Sequence, residues 1–508
     1  MRPETTALHA ALRSRVEVVA RTLSIALPPA PTAAEALEVV ARRVAASADP
    51  NEIWLLHVAI TGVFPEPDDF GRLRRALVLS TPATAYLSAL EGAIEAASQV
   101  FASLRSIEVV RDEVLVDVDY CARWEHNTGI QRVVRHTVPE WQGREDRPHR
   151  LVAWTEDQTG YTSLTERQLD RVLHWSDRRF PKELDPRATN RDLEQAALLV
   201  PWKSTILVTE VPADGVCPEL SALAQFSPNR VSIIGYDAIP LVSADTLPDD
   251  ESERFAHFLS FAKHVDVIAG ISGSAADEFR AFASMLPSQG VEPPEIVTVS
   301  LATEVSSSAR AAVESVVVDP KEPPLIICVG SHEPRKNQEA VLFAAQVLFR
   351  EGLDFRIVFV GSGSRQNTFR FDAKVSRLQK EGMRVESHRR LGDDDLWSLF
   401  ARARFSVFVS LHEGFGLPVA ESLAFGTPVL TSDFGSLDEV ASVGGCVQVD
   451  PRDDESIVDA MRRLLVDDEL VSGLHGEITE QTPKSWGEYA DELWQSAVAP
   501  LVRTEAVV

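Results

Sequence analysis

Residues 405–421, FSVFVSLHEGFGLPVAE, carry the clearest structural signal in the chain. The apolar run 405–410 is typical of a buried strand, and a helical pattern begins soon after Gly414 and Gly416. Both glycines permit positive φ and a close approach of the backbone to a ligand. Pro418 suits a first helical turn, because the N–H that it lacks would have no partner there. The stretch predicts a strand, a loop and a helix whose N-terminus can face an anion such as a diphosphate.

Apolar runs of this kind recur in two parts of the chain, with helical patterns between them. The predicted strands are 114–118, 206–209, 231–235 and 267–270 in the first part, and 325–330, 355–361, 405–410 and 428–431 in the second. Such alternation predicts parallel βαβ units. The fold class is therefore α/β, with two doubly wound, Rossmann-like domains in tandem. Open α/β sheets bind ligands beyond the carboxyl ends of their strands, so we expect a binding cleft between the two domains.

The domain boundaries follow from changes in composition. We predict a helical extension (1–110), an N-terminal Rossmann-like acceptor domain (111–305), a linker (306–324), a C-terminal Rossmann-like donor domain (325–482), and a C-terminal helix with a tail (483–508). Apolar residues at three- and four-residue spacing predict an amphipathic helix in the extension: Leu87, Leu90, Ile94, Ala97, Phe101 and Leu104. Its composition favours packing on the main body, and leaves oligomerisation through the extension open.

Composition argues against several classes of partner. A net charge of -26 repels polyanions, which argues against nucleic-acid binding and against polybasic docking on anionic lipid. No apolar stretch reaches the length of a transmembrane helix, so we expect no membrane span, while peripheral membrane contact stays open. The four cysteines are dispersed and lack metal-ligand spacing, which fits a reducing cytoplasm.

Two groups of charged residues follow predicted strands at their carboxyl ends. Glu413 lies in the glycine-containing loop, where its carboxylate can accept hydrogen bonds from sugar hydroxyls; Glu421, placed in the first helical turn, can accept them from ribose hydroxyls. Arg335 and Lys336 follow strand 325–330. They can stabilise the negative charge that develops on a departing nucleoside diphosphate, without a metal ion.

Two other interpretations of the acidic residues fit less well. As a glycosidase pair, Glu413 and Glu421 would be too far apart, because eight helical residues rise about 12 Å and hydrolytic pairs span roughly 5 to 9.5 Å. Asp117-Val-Asp119 matches the DxD of metal-dependent transferases, but it ends a first strand in a two-domain pattern. The histidines show no metal spacing either. The sequence therefore predicts no metal site.

The loop motifs resemble those of the family 4 retaining glycosyltransferases of the GT-B fold. That family has two glutamates separated by seven residues, matched here by Glu413 and Glu421 within EGFGLPVAE. Its phosphate loop is matched by five residues: Gly330, Pro334, Arg335, Lys336 and Asn337. The resemblance covers about residues 112–500 and is strongest over 325–455.

The resemblance implies the roles of particular residues. The implied catalytic set is Arg335, Lys336, Glu413, Tyr236 and Asp237. The implied donor-binding set is Gly129, Gln131, Gly330, Asn337, Gly361, Leu391, Gly414, Phe415, Gly416, Leu417 and Glu421. Tyr236 stands where the family commonly has a histidine that contacts the donor sugar, and its hydroxyl is one replacement for that contact. Ser272 resembles a serine that commonly closes the cleft.

The resemblance also implies a reaction. A sugar, mannose-like or a deoxyhexose, would pass from a nucleotide-diphosphate donor to a glycan or lipid-linked acceptor, with retention of configuration and without metal or cofactor. Bacterial polysaccharide assembly is the expected pathway. Two alternatives stay open: a nucleotide-sugar epimerase on the same fold, and a noncatalytic GT-B assembly subunit. Tyr236 and the helical extension motivate the second alternative.

Overall fold

The computed structural model describes residues 3–94, 104–127, 129–175, 197–248, 250–305 and 321–502. Within these ranges the chain forms two sheets, each flanked by helices. Three parts of the predicted organisation lie outside them: positions 97 and 101 of the amphipathic helix, most of the linker, and the last six residues.

The first sheet belongs to the N-terminal domain and has nine strands. They are β1 Ile107–Arg111, β2 Val114–Asp117, β3 Arg150–Trp154, β4 Tyr161–Ser163, β5 Leu198–Trp202, β6 Thr205–Val208, β7 Arg230–Gly235, β8 Val267–Gly270 and β9 Glu295–Thr298. Their order is β1-β5-β4-β3-β2-β6-β7-β8-β9. All neighbours are parallel except β4, which is antiparallel to β3 and β5. The strand order reverses at β2 and β6, so a crevice opens there at the carboxyl ends.

The second sheet belongs to the C-terminal domain and is wholly parallel. Its strands are β10 Leu325–Val329, β11 Arg356–Val360, β12 Arg384–His388, β13 Phe405–Phe408, β14 Val429–Ser432 and β15 Cys446–Val449. The order is β12-β11-β10-β13-β14-β15, the doubly wound arrangement of a dinucleotide-binding fold. Its topological switch point lies between β10 and β13. The loops that follow these two strands are those with the predicted charged residues.

Helices cover both sheets. Those of the N-terminal domain are α6 Asp119–Arg123, α7 Gly129–Trp141, α8 Glu166–Leu173, α9 Cys217–Phe226, α10 Ile239–Val242, α11 Glu251–Ala262 and α12 Gly273–Met285. Those of the C-terminal half are α13 Gln338–Arg350, α14 Arg365–Lys380, α15 Asp393–Arg402, α16 Leu417–Ala424, α17 Gly435–Ala441, α18 Asp454–Val466, α19 Asp468–Thr479 and α20 Trp486–Leu493. The central parallel strands are thus buried between helices, which explains the continuous apolar runs in the sequence.

All eight predicted strands are present, with ends that differ by one or two residues. The seven strands that the sequence did not predict lie mostly toward the sheet edges. The edge strand β12, for example, reads RVESH, and only Val385 in it is buried. Edge strands need no second apolar face, so they lack the pattern from which the central strands were predicted.

Within the described residues the N-terminal extension has five helices, and their buried apolar residues share one core with the first sheet. The five helices are α1 Pro3–Thr22, α2 Ala33–Ser47, α3 Pro50–Thr61, α4 Pro67–Leu79 and α5 Ala85–Ile94. Trp54 of α3 lies 5.3 Å from Phe64, which in turn lies 5.8 Å from Tyr161 of β4, measured between ring centroids. The predicted packing of the extension on the main body is therefore observed. The sheet already begins at Ile107, before the predicted boundary at 111.

No helix in the described ranges is long and apolar enough to cross a membrane.

The last helix returns from the C-terminal domain to the N-terminal domain. Trp141 at the end of α7 donates its Nε1–H to the carbonyl of Ala490 in α20 at 3.0 Å. Beside this helix the chain passes between the domains: the N–H groups of Thr303 and Glu304 both donate to the Lys484 carbonyl, at 3.0 and 3.1 Å. The two segments that connect the domains therefore lie side by side.

Arg15 provides a test of how the extension is held. Its buried guanidinium donates to the carbonyls of Ala59 at 2.8 Å, Ile60 at 3.0 Å and Arg105 at 2.8 Å, and burial lowers its pKa to about 10. Arg15→Met leaves these carbonyls without those donors, so we expect a loss of about 3 kcal/mol in the free energy of unfolding, measured in urea. Arg13→Met, which removes only a half-exposed pair with Glu17, should cost about 0.5 kcal/mol or less. Equal losses in the two variants would contradict this account.

Candidate active site

The loop after β13 turns sharply into α16 at Gly416. This residue has φ 104° and precedes the helix, and a Cβ added to it would lie 2.6 Å from Leu437 Cδ2. Both the backbone conformation and the space therefore require glycine. Pro418 occupies the first turn of the helix, as predicted. Glu421 is the fifth residue of α16 rather than part of its first turn, so that detail of the prediction was wrong.

The loop after β10 lies directly beside the loop after β13. Pro334–Lys336 form a single 3-10 turn, and Asn337 follows with φ 54°. The side-chain amide nitrogen of Asn337, Nδ2, donates to the carbonyl of Pro451 at 2.7 Å, which stabilises this left-handed conformation. The N–H of Leu411 donates to the carbonyl of Arg335 at 2.7 Å. Thus the two loops form one unit at the switch point of the sheet.

A third loop, after β11, packs on the β10 loop through two glycines. The N–H of Gly330 donates to the carbonyl of Val360 at 2.9 Å, and Gly330 has φ 150°. A Cβ on Gly361 would lie 1.8 Å from the Gly330 carbonyl oxygen. Glycine is therefore required at Gly361 for the loops to meet. Its contact with a donor stays a prediction.

Glu413 forms an ion cluster with both predicted cations. Its Oε1 accepts from Lys336 Nζ at 2.6 Å, and its Oε2 accepts from Arg335 Nη1 at 3.1 Å. The exposed fractions of the three side chains are 10% for Glu413, 12% for Lys336 and 15% for Arg335. The cluster thus gathers a carboxylate and two cations at the carboxyl ends of β10 and β13.

The electrostatics of this cluster keep Glu413 and Arg335 charged. Burial raises the pKa of Glu413, but Lys336 and Arg335 outweigh burial, and the pKa falls below its usual value. Burial likewise lowers the pKa of Arg335, but Glu413, Glu333 and Asp237 outweigh it and raise the pKa. A buried cation that stays charged can bind the negative charge of a phosphate.

The N-terminal domain meets this loop at Asp237 and Ser272. The Ser272 hydroxyl donates to the carbonyl of Gly414 at 2.7 Å, which agrees with its predicted position at the cleft. A Cβ on Gly414 would lie 2.5 Å from the Tyr236 carbonyl oxygen and 3.0 Å from Asp237 Oδ2. Burial raises the pKa of Asp237 to about 6, although a hydrogen bond from the Ile239 N–H opposes the shift. The donor loop and the Asp237 segment are therefore in direct contact across the cleft.

A second contact across the cleft joins α7 to α16. A Cβ on Gly129 would lie 3.7 Å from Leu417 Cδ1, so the N-termini of the two helices face each other. Arg132 in the first turn of α7 forms an ion pair with Glu421. The predicted ribose-binding carboxylate thus has a cationic partner from the N-terminal domain.

Comparisons with known proteins agree with this architecture. The model of the family described as Glycosyl transferases group 1 matches residues 312–491. Sucrose-phosphate synthase from Thermosynechococcus elongatus superposes with a TM-score of 0.50 at 15% identity, covering 75% of this chain and 98% of that one. The fold is GT-B. The family match also supports a glycosyltransferase.

Two relatives from Escherichia coli are mannosyltransferases by name. Serotype-specific mannosyltransferase WbdA is 26% identical over 345 residues, which cover 65% of this chain and 38% of that protein. O-antigen chain mannosyltransferase B is 38% identical over 143 residues, covering 28% of this chain and 36% of that protein. The chain therefore spans little more than a third of the length of these curated relatives.

The backbone of Tyr236 lies at the cleft, but its side chain turns into the N-terminal domain. It is 5% exposed and lies in the apolar core, where its hydroxyl donates to the carbonyl of Thr209 at 2.7 Å. The hydroxyl thus has a partner within the core, which argues against its predicted contact with the donor sugar. Tyrosine is longer and less polar than histidine, and packing in the N-terminal core is its more favourable position.

The side chains of three other predicted donor-site residues pack inside the protein. The side chain of Phe415 is buried in a core that both domains share, so only its backbone can face a donor. Gln131 is buried on the inner face of α7. Leu391 is half-buried against the small apolar cluster around Phe400, and its contact with a base stays a prediction.

The carboxylates of Asp117 and Asp119 both accept hydrogen bonds from within the N-terminal domain. Asp117 accepts from the Trp154 indole at 3.0 Å, and Asp119 accepts from the Trp154 N–H at 2.8 Å and from Arg123 at 2.7 Å. Among the residues that the structure describes, no three His, Cys, Asp or Glu side chains are grouped as a metal site would need.

Sequence reasoning missed several contacts that join the two domains across the cleft. His412 has its Nε2 2.6 Å from Glu278 Oε1 and its Nδ1 2.8 Å from the Ser243 hydroxyl. Glu439 of α17 accepts from the N–H of Gly273 at 2.8 Å and also from the N–H of the next residue, at the start of α12. Position in the sequence gives a signal only for His412, which follows the predicted strand 405–410; Glu278 and Glu439 lie inside helices.

Asp237 makes the stability of the protein depend on pH. Because its pKa is about 6 in the folded protein and 3.8 when unperturbed, the folded state binds the proton more tightly, and stability falls as pH rises from about 4 to about 6. Asp237→Asn removes the cost of the buried charge and keeps an acceptor for the Ile239 N–H. We expect it to stabilise the protein at pH 7.5 by on the order of 1 to 3 kcal/mol, with no gain at pH 4, measured by thermal unfolding.

The matched control is Asp277→Asn, which alters an exposed carboxylate paired with Arg280. It should change stability little at either pH. A destabilised Asp237→Asn protein at pH 7.5 would show that the charge of Asp237 stabilises the fold.

Proposed function

We propose that this protein is a retaining family 4 glycosyltransferase that moves a sugar from a nucleotide-diphosphate donor to a glycan or lipid-linked acceptor. The observation that supports the proposal best is the buried cluster of Glu413, Arg335 and Lys336 at the switch point of the C-terminal sheet. Cations at this position can bind the diphosphate, and a carboxylate beside them can bind sugar hydroxyls.

These cations act on the leaving group of the reaction. Cleavage of the bond between the sugar and the β-phosphate leaves negative charge on the phosphate oxygen. Arg335 and Lys336 stabilise that charge, and the backbone N–H groups at the start of α16 add the positive end of the helix dipole. A metal ion is then unnecessary for this step, and we propose that none is used and that no cofactor is resident.

Retention follows from the face of the sugar that the acceptor attacks. In the proposed reaction, the acceptor oxygen bonds to the anomeric carbon on the face that the phosphate leaves, and the departing phosphate oxygen takes the acceptor proton. No protein nucleophile is needed. Glu413 is held by two cations and is suited to orienting the sugar, and Asp237 faces the same loop from the N-terminal domain. We assign Glu421 to the ribose.

The sugar and the pathway come from the relatives. Both named Escherichia coli proteins are mannosyltransferases, so we propose mannose, with a deoxyhexose as the other donor to test. Bacterial polysaccharide assembly in the cytoplasm fits such a donor. The strong negative charge of the chain favours a small donor over nucleic acid as the partner.

A noncatalytic GT-B subunit is the second candidate, and one observation favours it. Tyr236 is turned into the core, so the donor sugar lacks the contact that the family's histidine usually makes. Binding of a nucleoside diphosphate without any transfer would support this candidate. Consumption of a nucleotide sugar without acceptor, giving an epimer, would instead support an epimerase.

Lys336→Ala tests the proposed role of the cluster. Without its ammonium group the leaving phosphate loses a buried cation, so we expect kcat to fall by about 100-fold or more, measured as release of nucleoside diphosphate from GDP-mannose in the presence of acceptor. Lys374→Ala is the matched control, because Lys374 is a half-exposed lysine of the same domain that pairs with Glu339. It should keep near-normal turnover. Near-normal turnover in Lys336→Ala would overturn the assignment.

Glu421→Ala tests the ribose assignment separately from the phosphate assignment. GDP and inorganic pyrophosphate share the diphosphate, but only GDP has ribose hydroxyls. We expect the variant to bind GDP about tenfold or more weakly and to bind pyrophosphate as the wild type does, as measured by calorimetry. Lys336→Ala should weaken both ligands. Equal losses for GDP and pyrophosphate in Glu421→Ala would contradict a ribose contact.

A further inference from the structure

His412 is held by the N-terminal domain although it belongs to the donor loop of the C-terminal domain. Its ring lies between Glu278 and Ser243, with heavy-atom distances of 2.6 and 2.8 Å. The side chains of His412 and Glu278 are only 14% and 15% exposed. A hydrogen bond this sheltered is stronger than one at the surface, because water competes less for its partners.

The two partners fix the orientation of the ring. The carboxylate of Glu278 can only accept, so Nε2 carries the proton that points to it, and Nδ1 faces the Ser243 hydroxyl on the other side of the ring. The second carboxylate oxygen of Glu278 accepts from the N–H of Ala238, the residue after Asp237. Glu278 therefore joins the Asp237 segment to the donor loop with one side chain.

The backbone of His412 continues directly into the charged cluster. Its carbonyl accepts from Arg335 Nη1 at 3.1 Å, the same nitrogen that contacts the carboxylate of Glu413, the next residue. A change in the position of His412 would therefore move two acceptors of one guanidinium. The carbonyl of Glu413 is fixed separately, by the Ser436 hydroxyl at 2.7 Å, from within the C-terminal domain.

We propose that Glu278 is a positioning residue that acts through His412 on Arg335 and Glu413. The proposal rests on the transferase function proposed above. Because Glu278 and Ser243 lie in one domain and His412 in the other, the ring is fixed only when the domains are together. The geometry of the cations is thus coupled to closure of the cleft. A residue with this role affects the chemical step more than the affinity for the donor.

Glu278→Gln tests the proposal with little change in shape. Glu278 accepts two N–H donors, whereas glutamine offers one acceptor and one NH₂ group, so either Ala238 loses its acceptor or the His412 ring must change tautomer and accept where it donated. We expect kcat for sugar transfer to fall about tenfold or more, with the donor KM changed less than about threefold. The double variant Glu278→Gln with His412→Ala should be no slower than His412→Ala alone, because both changes remove the same contact.

The control is Glu304→Gln. Glu304 also reaches from the N-terminal domain to a backbone N–H beyond the cleft, that of Trp486 at 2.7 Å, but it lies away from the donor loop. This variant should keep the wild-type kcat. If Glu278 had a purely structural role, the Glu278→Gln protein would be less stable than the wild type, as the control variant is. Its kcat would then be unchanged below the unfolding temperature.

Hydrogen exchange gives a readout that does not need turnover. The N–H of Leu411 donates a hydrogen bond to the carbonyl of Arg335. Hydrogen exchange at residues 411–417, which form the donor loop, therefore measures how well this loop is ordered. We expect severalfold faster exchange there in Glu278→Gln, and no change in Glu304→Gln. An unchanged kcat in an active enzyme, or unchanged exchange in the loop, would overturn the proposal. Absence of transfer by the wild-type protein, with faster loop exchange in Glu278→Gln, would contradict the transferase function and leave the positioning role supported.

Discussion

The site depends on the contact of Glu413 with Arg335 and Lys336. These residues come from loops that follow neighbouring strands, and the carboxylate is what allows two cations to lie together in a sheltered crevice without strong repulsion. Removing one partner of such a buried group leaves the others uncompensated, which is far more costly than losing a surface pair. The position of the cations is therefore set by the fold of the whole sheet.

The proposed donor site is a property of both domains. The C-terminal domain supplies the charges and the glycine loops, and the N-terminal domain fixes the loop that bears Glu413. Ser272 binds the Gly414 carbonyl, Glu278 binds the His412 ring, and Arg132 pairs with Glu421. Each of these contacts crosses the cleft, so the arrangement of the donor loop reports the arrangement of the domains.

The sequence predicted the parts of the molecule that have local patterns. Central strands such as β10 and β13 are apolar on both faces and were identified from their continuous apolar runs, whereas β3 and β5 have similar runs and were not predicted. The contact of His412 with Glu278 could not be predicted, because 134 residues separate the two and Glu278 belongs to no recognisable motif. Tyr236 shows the limit of resemblance: its position in a motif was correctly located, but packing turns its side chain away from the cleft.

The paired crossings at Thr303 and Lys484 determine how the cleft can open. Two chain segments that are hydrogen-bonded side by side act as a pivot: they allow rotation about one line and resist sliding of the domains past each other. Displacement then grows with distance from that line. Groups beside the pivot keep their neighbours throughout the motion, whereas contacts at the far side of the cleft separate first and re-form last.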